Sequence, residues 1–208
     1  MNLLDNFINE CDIALKTLSF KKSGTGRSYP TNETSSSLSK KEKSLSAQLM
    51  RVNLAGEVAA QALYRGQAMV CKDAEIKKHL VQAGEEETDH LIWCKKRLEE
   101  LNGKPSILNP VWYAGSFAIG AIFGSFGEKT SLGFVEETEK QVVKHLERHL
   151  DKVSKNDTET IEILKTMRAD EDEHAQEAIE NGSESLSEPT KKVMNFTAKV
   201  MTSSSAYI

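Results

Sequence analysis

From about Lys41 onward, apolar residues recur three or four positions apart, the spacing of one face of an α-helix. Gly, Pro and Asn-Asp signals interrupt this pattern at points where helices commonly end. The interruptions predict six helices, near residues 41–70, 73–102, 111–126, 129–155, 158–181 and 189–202. Because Val, Ile and Thr do not alternate in period-two runs, we predict an all-α fold.

The first 40 residues follow a different pattern. Apolar residues from Leu4 to Leu18 have helical spacing, but acidic residues interrupt the unbroken apolar run that a signal peptide would need. We therefore predict a short docking helix over residues 1–20. Residues 21–40 are rich in Ser, Thr and Gly and are predicted to form a flexible linker, which leaves residues 41–208 as the main domain.

Composition and charge exclude some classes of protein. The chain has 208 residues, of which 38% are hydrophobic, enough for a packed core. Its net charge of -4 and dispersed basic residues do not indicate a nucleic-acid surface. The three cysteines lack CxxC spacing, so we expect reduced, buried thiols in a cytosolic setting rather than disulfides.

Acidic and histidine residues occupy core positions in several of the predicted helices. Within the segment "EEETDH", Glu85 and Glu86 fall on flanking faces, whereas Glu87 and His90 stand where the inward stripe calls for apolar residues. The helix near 158–181 repeats this ExxH anomaly. Glu139 breaks the stripe of a third helix, whereas Glu57 only borders the stripe of a fourth, so the pattern leaves the inward orientation of Glu57 open. The residues concerned are Glu57, Glu87, His90, Glu139, Glu171 and His174.

The order of these residues suggests a site that is built twice. Glu57 precedes Glu87 by 30 residues and Glu139 precedes Glu171 by 32, so a Glu followed by an ExxH pair occurs in each half. A duplicated helix hairpin would place these groups around a pseudo-twofold axis. Four buried glutamates need compensating charge, and two divalent ions would supply it. This is the ligand pattern of ferritin-like four-helix bundles with a dimetal centre.

One less specific interpretation competes with this one. The acidic residues could belong to solvated helix faces, with histidines satisfied by ordinary hydrogen bonds. A further histidine, His145, lies on the same predicted helix as Glu139 and is either a group that hydrogen-bonds a metal ligand or a polar helix residue.

A segment of 23 residues without charge, 105–127, separates the two halves. Its predicted helix of roughly 17 residues would span about 25 Å, less than the ~30 Å core of a bilayer, so clean spanning is not expected. Ser116, Gly120 and Gly124 recur every four residues and permit close helix contact. The segment is either a central buried helix or a membrane-facing entrance for a lipid-soluble substrate. We favour the second, because a four-helix dimetal site needs no fifth helix to bury it.

Four stretches together carry a resemblance to a known family. They are "LMRVNLAGEVAAQALYRGQ", "EEETDHLIWCKKRLEELNGKPSILNPVWYAGSFAIG", "SLGFVEETEKQVVKHLERHL" and "MRADEDEHAQEA". Over residues 49 to about 180 the chain resembles the bacterial demethoxyubiquinone hydroxylases, di-iron monooxygenases of ubiquinone biosynthesis. The resemblance includes all six ligand positions. It departs at Leu54, where the family commonly has a histidine.

The resemblance implies a function and its partners. Two iron ions would be held by the six residues, with Glu87 and Glu171 bridging. The reaction would be hydroxylation of a polyprenylated demethoxy-benzoquinol by dioxygen, with an external electron donor. The protein would lie peripherally on the cytoplasmic side of the cell membrane, and self-association into a homo-oligomer stays open.

Three other functions remain as rivals. A ferritin-like ferroxidase or iron-binding protein would share the ligands but would not need the charge-free segment. A rubrerythrin-type peroxidase would carry a CxxC…CxxC iron site, which this sequence lacks. A metal-free helical scaffold would hold no iron.

Overall fold

The computed structural model describes residues 3–31 and 37–208 of the chain. Within these residues there are seven α-helices and no strand, which confirms the all-α prediction. The helices are α1 (Leu3–Leu18), α2 (Lys40–Val70), α3 (Ala74–Glu100), α4 (Asn109–Ser125), α5 (Glu128–Lys152), α6 (Thr158–Glu180) and α7 (Glu188–Ser205). The six helices predicted from the main-domain pattern are confirmed, with ends that shift by up to three residues.

Two helix hairpins form the ferritin-like bundle. A connection of three residues, 71–73, joins α2 to α3, and residues 153–157 join α5 to α6. Such short connections return the chain along its neighbour. The hairpins pack together through α3 and α6, while α4 links the two halves and α7 contacts α2 and α5. The predicted four-helix bundle with an additional apolar helix and short terminal helices is therefore the observed architecture.

Side-chain caps define where the bundle helices begin. Ser39 and Glu42 form a capping box at the start of α2, with Ser39 N donating to Glu42 Oε2 at 2.8 Å. The Asp73 carboxylate accepts backbone N–H groups at the start of α3, and Asp157 accepts the Thr160 N–H at the start of α6. Each cap satisfies amides that have no partner inside the helix, and so fixes the register of the residues that follow.

Helix α2 is the central element of the core. Between Leu49 and Tyr64 nearly every residue is buried, because neighbouring helices cover several of its faces. Alanines on α2 permit this close packing, and larger side chains from the other bundle helices fill the remaining space. The largest fully buried apolar residues are Met50, Leu54, Leu80, Leu91, Leu98, Leu132, Leu146, Ile163, Leu164 and Met167.

Helix α4 packs closely along α2 on one side only. A Cβ added to Gly120 would lie 2.2 Å from the Leu63 carbonyl oxygen, and one added to Gly66 would lie 2.2 Å from the Phe117 carbonyl oxygen. The two backbones therefore meet at positions that only glycine fits. Most of the remaining α4 residues are partly or fully exposed, so the alternative of a central buried helix is wrong. Among the described residues, no helix combines the length and hydrophobicity needed to cross a bilayer.

The N-terminal helix contacts the bundle through polar groups. The Thr17 hydroxyl donates to Gln61 Oε1 at 3.1 Å, and Arg65 pairs with Glu10. Leu4 and Phe7, expected on the apolar face, have side chains outside the described set. Cys11 is exposed, so the expectation that all three cysteines are buried is wrong, and only Cys94 is fully buried.

Residues 21–31 contain no helix and run beside α3, whereas residues 32–36 of the predicted linker lie outside the described residues. The flexibility of this linker stays a prediction.

A buried ion pair joins the end of α3 to the start of α6. Arg97 Nη2 lies 2.7 Å from Asp157 Oδ1, and Arg97 Nε donates to the Thr160 hydroxyl at 3.0 Å. Burial would raise the pKa of Asp157, but hydrogen bonds from Ser46 and Thr160 and the Arg97 charge lower it. Its contribution to stability is therefore present above about pH 4, the unfolded pKa, and is lost as pH falls through the lower folded pKa.

We expect Arg97→Met to destabilise the fold by about 3–5 kcal/mol, because it leaves Asp157 buried without its cation. Arg168→Met is the matched control, since Arg168 pairs with Glu147 at the surface and such pairs contribute about 0–1 kcal/mol. Urea unfolding at pH 7 measures both free energies of unfolding. Equal, small losses in the two variants would contradict the structural role of Arg97.

Candidate metal centre

Six polar residues from the four bundle helices converge in the core. Each has an exposed fraction of 4% or less, although all are carboxylates or imidazoles. Helices α2 and α5 supply one glutamate each, and α3 and α6 each supply an ExxH pair whose members point to the same side of the helix. The residues are Glu57 from α2, Glu87 and His90 from α3, Glu139 from α5, and Glu171 and His174 from α6.

One half of the cluster surrounds Nδ1 of His90. This nitrogen lies 3.2 Å from Glu87 Oε2, 3.1 Å from Glu171 Oε1 and 3.7 Å from Glu57 Oε2. One ligand atom from each of these four residues lies within 4.8 Å of the others, a spacing that could hold a metal ion. Glu57, whose orientation the sequence pattern left open, therefore points into the cluster.

The other half of the cluster uses the remaining oxygens of the same two carboxylates. Nδ1 of His174 lies 3.2 Å from Glu87 Oε1 and 3.5 Å from Glu171 Oε2. Glu87 and Glu171 thus each direct one oxygen toward His90 and the other toward His174. This is the placement that a carboxylate needs to bridge two ions.

Glu139 has a buried partner that the sequence pattern does not reveal. The Tyr64 hydroxyl, on α2, donates to Glu139 Oε1 at 2.8 Å. The other oxygen of this carboxylate, Oε2, makes no hydrogen bond within the described part of the chain. Tyr64 therefore orients Glu139 while leaving one of its oxygens free for a cation.

Each histidine in the cluster is also held from behind by a carboxylate on the opposite hairpin. Nε2 of His90 lies 2.8 Å from Asp170 Oδ2, and Nε2 of His174 lies 2.9 Å from Glu86 Oε2. A carboxylate accepts a hydrogen bond from the imidazole N–H, which favours the tautomer with Nε2–H and a lone pair on Nδ1. In both rings Nδ1 then faces the cluster, where its lone pair could bind a metal ion.

The apolar stripes of the helices do not reveal these two supporting carboxylates. Glu86 does lie on a flanking face of its helix, as predicted, but that face meets His174. The available signal was the acid directly before the glutamate of each ExxH pair, Glu86-Glu87 and Asp170-Glu171. Its repetition in both halves distinguishes these acids from ordinary surface charges.

Burial and mutual repulsion perturb the ionisation of the cluster. Burial, followed by the nearby carboxylates, raises the pKa values of Glu57 and Glu139 well above the ordinary value. Burial also acts to raise the pKa of Glu87, but contacts with the rings of His174 and His90 outweigh it and lower that pKa. The raised pKa values favour protons on Glu57 and Glu139 in the absence of a cation, and a divalent cation would displace such protons.

The unsatisfied atoms of the cluster fit a pair of metal ions. Glu87 Oε1, Glu139 Oε2, Glu171 Oε2 and Nδ1 of His174 are buried and make no hydrogen bond of ordinary geometry with any described residue. All four carry lone pairs, and all belong to the six-residue cluster. A set of four carboxylates and two imidazoles matches the donors of di-iron and di-manganese bundles.

Two other sequence features have clear positions. The His145 ring packs against the His149 ring, with centroids 4.0 Å apart and the ring planes tilted by 57°. Burial together with Arg148 and Lys152 lowers the pKa of His145 to about 4. The ring that His145 contacts is therefore that of another histidine and not of a residue of the cluster. The predicted hydrogen bond from His145 to a metal ligand stays a prediction. Leu54 is fully buried in the apolar core.

Comparison with known proteins assigns the chain to a family. The family model described as "Ubiquinone biosynthesis protein COQ7" matches residues 44–205, which include the whole bundle apart from the first residues of α2. The chain belongs to the COQ7 family. The match also includes all six residues of the cluster, so the centre described above is part of the segment that the COQ7 model covers.

Curated members of the COQ7 family are similar over nearly the full length. A protein of Legionella pneumophila (strain Lens) named 3-demethoxyubiquinol 3-hydroxylase is 49% identical over 209 aligned residues, covering 100% of this chain and 98% of the relative. Proteins with the same name from Francisella philomiragia and Nitrosococcus oceani are 48% and 47% identical. The alignment with the former covers 97% of this chain, and that with the latter 100%.

We expect Glu86→Gln to weaken metal binding about 10- to 100-fold, because it removes the charge that holds His174 in its ligand tautomer. Glu85→Gln is the matched control, since it makes the same change of charge at the adjacent, exposed residue. Competition with a chelator of known affinity measures both variants. Equal affinities would show that the Glu86 contact with His174 does not support the metal.

Proposed function

We propose that this protein is a di-iron monooxygenase that hydroxylates the ring of a polyprenylated demethoxy-benzoquinol in ubiquinone biosynthesis. The observation that most directly supports this proposal is the placement of Glu87 and Glu171. Each of them directs one oxygen toward His90 and the other toward His174. The name shared by the curated relatives, 3-demethoxyubiquinol 3-hydroxylase, supports the same reaction for this chain.

In this proposal the six residues would hold two irons per chain. Glu57 and His90 would serve one ion and Glu139 and His174 the other, while Glu87 and Glu171, whose oxygens face both histidines, would serve both. When bound and reduced, the irons supply the electrons and the Lewis acidity for activating dioxygen. The overall reaction converts a ring C–H and O2 into a ring C–OH and water, consuming two electrons from an external donor and two protons.

The chain's own residues prepare this chemistry. The carboxylates would stabilise the positive charge of bound irons, and Tyr64 orients Glu139 by its hydrogen bond. Asp170 and Glu86 keep the two histidines oriented with Nδ1 toward the centre of the cluster. The apolar core around the six residues keeps bulk water away from the reacting atoms, which limits unproductive reduction of oxygen.

We expect iron-loaded protein, reduced and given a demethoxy-benzoquinol under 18O2, to place one labelled atom in the new hydroxyl group. Iron content should approach two per chain and fall sharply in Glu87→Ala and His174→Ala. Glu57→Ala and Glu139→Ala should each abolish incorporation, because each removes a terminal carboxylate that holds one of the ions in place. Mass spectrometry of the extracted product measures the label.

Glu85→Ala is the control for the loss of an acidic side chain, since Glu85 is exposed on α3. It should retain both iron and activity. Label found only in water, with iron mineral accumulating in the protein, would contradict the hydroxylase and favour a ferroxidase. Full iron retention in both Glu87→Ala and His174→Ala would exclude this site.

We further propose that α4 attaches the protein peripherally to the cytoplasmic side of the cell membrane, where its lipid-soluble substrate is found. Val111, Ile122 and Phe126 are 54–66% exposed and, by helical periodicity, share one face of the segment. That face carries no charge. An exposed apolar face of this kind buries area at a bilayer surface, and the opposite side of α4 stays on the bundle.

The double substitution Ile122→Asp and Phe126→Asp should move the protein from sedimenting lipid vesicles to the supernatant with little change in circular dichroism. Each charge opposes burial of the face in the headgroup region. The matched control is Ile8→Asp with Leu15→Asp, which places the same charges on two exposed apolar residues of α1. Unchanged partitioning of the α4 variant, or equal loss in both, would contradict the assignment of α4.

A further inference from the structure

The segment from Phe20 to Thr31, here called the strap, follows α3 on the outside of the bundle. It makes polar or ring contacts at several successive turns of that helix. Lys22 Nζ donates to the Gly84 carbonyl, Thr25 donates to the Asp89 carboxylate, and the Tyr29 hydroxyl donates to Glu100. These contacts place the strap against the stretch of α3 that carries Glu87 and His90.

One turn of the strap approaches α3 unusually closely. A Cβ added to Gly24 would lie 1.9 Å from Asp89 Oδ1, so a larger residue there would force either the strap or the carboxylate to move. Asp89 is itself buried and directly precedes His90. The strap is therefore seated at the residue beside a proposed metal ligand.

Arg27 extends from the strap to the two groups that support His90 from behind. Its guanidinium forms a two-pronged pair with Asp170, with Nη1 2.7 Å from Oδ2 and Nη2 3.0 Å from Oδ1. The same guanidinium lies 5.0 Å from the centre of the Trp93 ring. Trp93 in turn packs against the His90 ring, with centroids 5.3 Å apart.

Through these contacts the strap is connected to His90 by a single intervening side chain, that of Asp170. Asp170 Oδ2 accepts from Arg27 and also lies 2.8 Å from Nε2 of His90, whose Nδ1 faces Glu87 and Glu171. A bidentate arginine–carboxylate pair of this kind restricts both the position and the rotation of the carboxylate. Arg27 thereby restricts the group that holds the His90 tautomer.

Among the described residues, no arginine forms an ion pair or hydrogen bond with the acid that supports the other histidine. Glu86, which holds His174, accepts a hydrogen bond from Gln82 Nε2 on its own helix at 3.1 Å. Its side chain is 29% exposed, compared with 16% for Asp170. The pseudo-twofold symmetry of the cluster is thus broken just outside the ligands, at the place where the strap is attached.

We propose that Arg27 is a positioning residue that holds Asp170 and Trp93 against His90, so that the strap stabilises the ion on the His90 side more than the ion on the His174 side. The inference rests on the proposed di-iron centre. Arg27 lies before residue 44, where the match to the family model begins, whereas Asp170, Trp93 and His90 lie inside the matched part.

The test is the rate at which Fe²⁺ leaves the anaerobically loaded full-length protein for a colorimetric chelator. In Arg27→Gln we expect about half of the iron to leave roughly 5-fold faster than in the parent, and the other half to leave at the parental rate. The factor is below the 10- to 100-fold loss seen when a ligand's direct partner is changed, because Asp170 itself remains. Arg27→Lys, which retains charge but not the paired geometry, should fall between the two.

A double-mutant cycle separates positioning from a general loosening of the fold. Asp170→Asn keeps an acceptor for His90 but removes the charge that Arg27 binds. If Arg27 acts through Asp170, the double variant should release iron no faster than Asp170→Asn alone. If instead the two substitutions multiply their separate effects on the rate of iron release, Arg27 does not act through Asp170.

Arg168→Gln is the matched control, since Arg168 lies two residues from Asp170 on α6 but pairs with Glu147 at the surface. It should release both ions at the parental rate. Urea unfolding of the metal-free proteins should give similar midpoints for the parent and both arginine variants, because a partly exposed ion pair contributes little to stability. A large loss of stability in Arg27→Gln alone would reduce its role to a structural one.

The outcomes also separate this inference from the proposed function. A parent that does not take up two irons would overturn the di-iron centre and the inference with it. A parent that holds two irons, together with an Arg27→Gln variant that releases both at the parental rate, would overturn only the role of the strap.

Discussion

The whole arrangement depends on the burial of four carboxylates in one hydrophobic core. An isolated ionised carboxylate is costly to remove from water, and four within contact of one another add mutual repulsion. Two imidazoles and one phenol contact the carboxylates, and the pKa values of Glu57 and Glu139 are raised. These groups compensate only part of the negative charge, so a bound cation would stabilise the core and its removal would destabilise it.

Helices are suited to this task because they fix the spacing of their side chains. An ExxH pair on α3 or α6 places both groups on one face, and the caps at Asp73 and Asp157 fix where each helix begins. The ion pair between Arg97 and Asp157 then ties the two helices that carry these pairs. Since the ligand atoms must lie within a few ångströms of one another, register errors in either hairpin would separate them.

The additions to the bundle act on different sides of this core. Helix α4 meets α2 through glycines and presents its other face, charge-free and apolar, to the outside. The strap lies along α3 and reaches His90 through Asp170 and Trp93. A bundle that binds metal needs neither addition. In the proposed function, α4 would give access to a lipid-soluble substrate. The strap contacts the acid behind His90 and so supports the two histidines unequally.

The sequence by itself determined the helices, the duplicated Glu and ExxH order and five of the six residues that meet in the core, because helical periodicity makes a polar residue in an apolar stripe visible. Glu57 only borders its stripe, so the packing of the helices decided its orientation. It also identified the charge-free segment, but not which of its faces is covered. Only the tertiary structure decided that Glu86 and Asp170 hold the histidines of the opposite hairpin, that Tyr64 orients Glu139, and that Arg27 reaches Asp170 across 143 residues of sequence. These contacts join residues on different helices or on the strap, and no local spacing rule relates the positions of side chains that meet only after the hairpins pack.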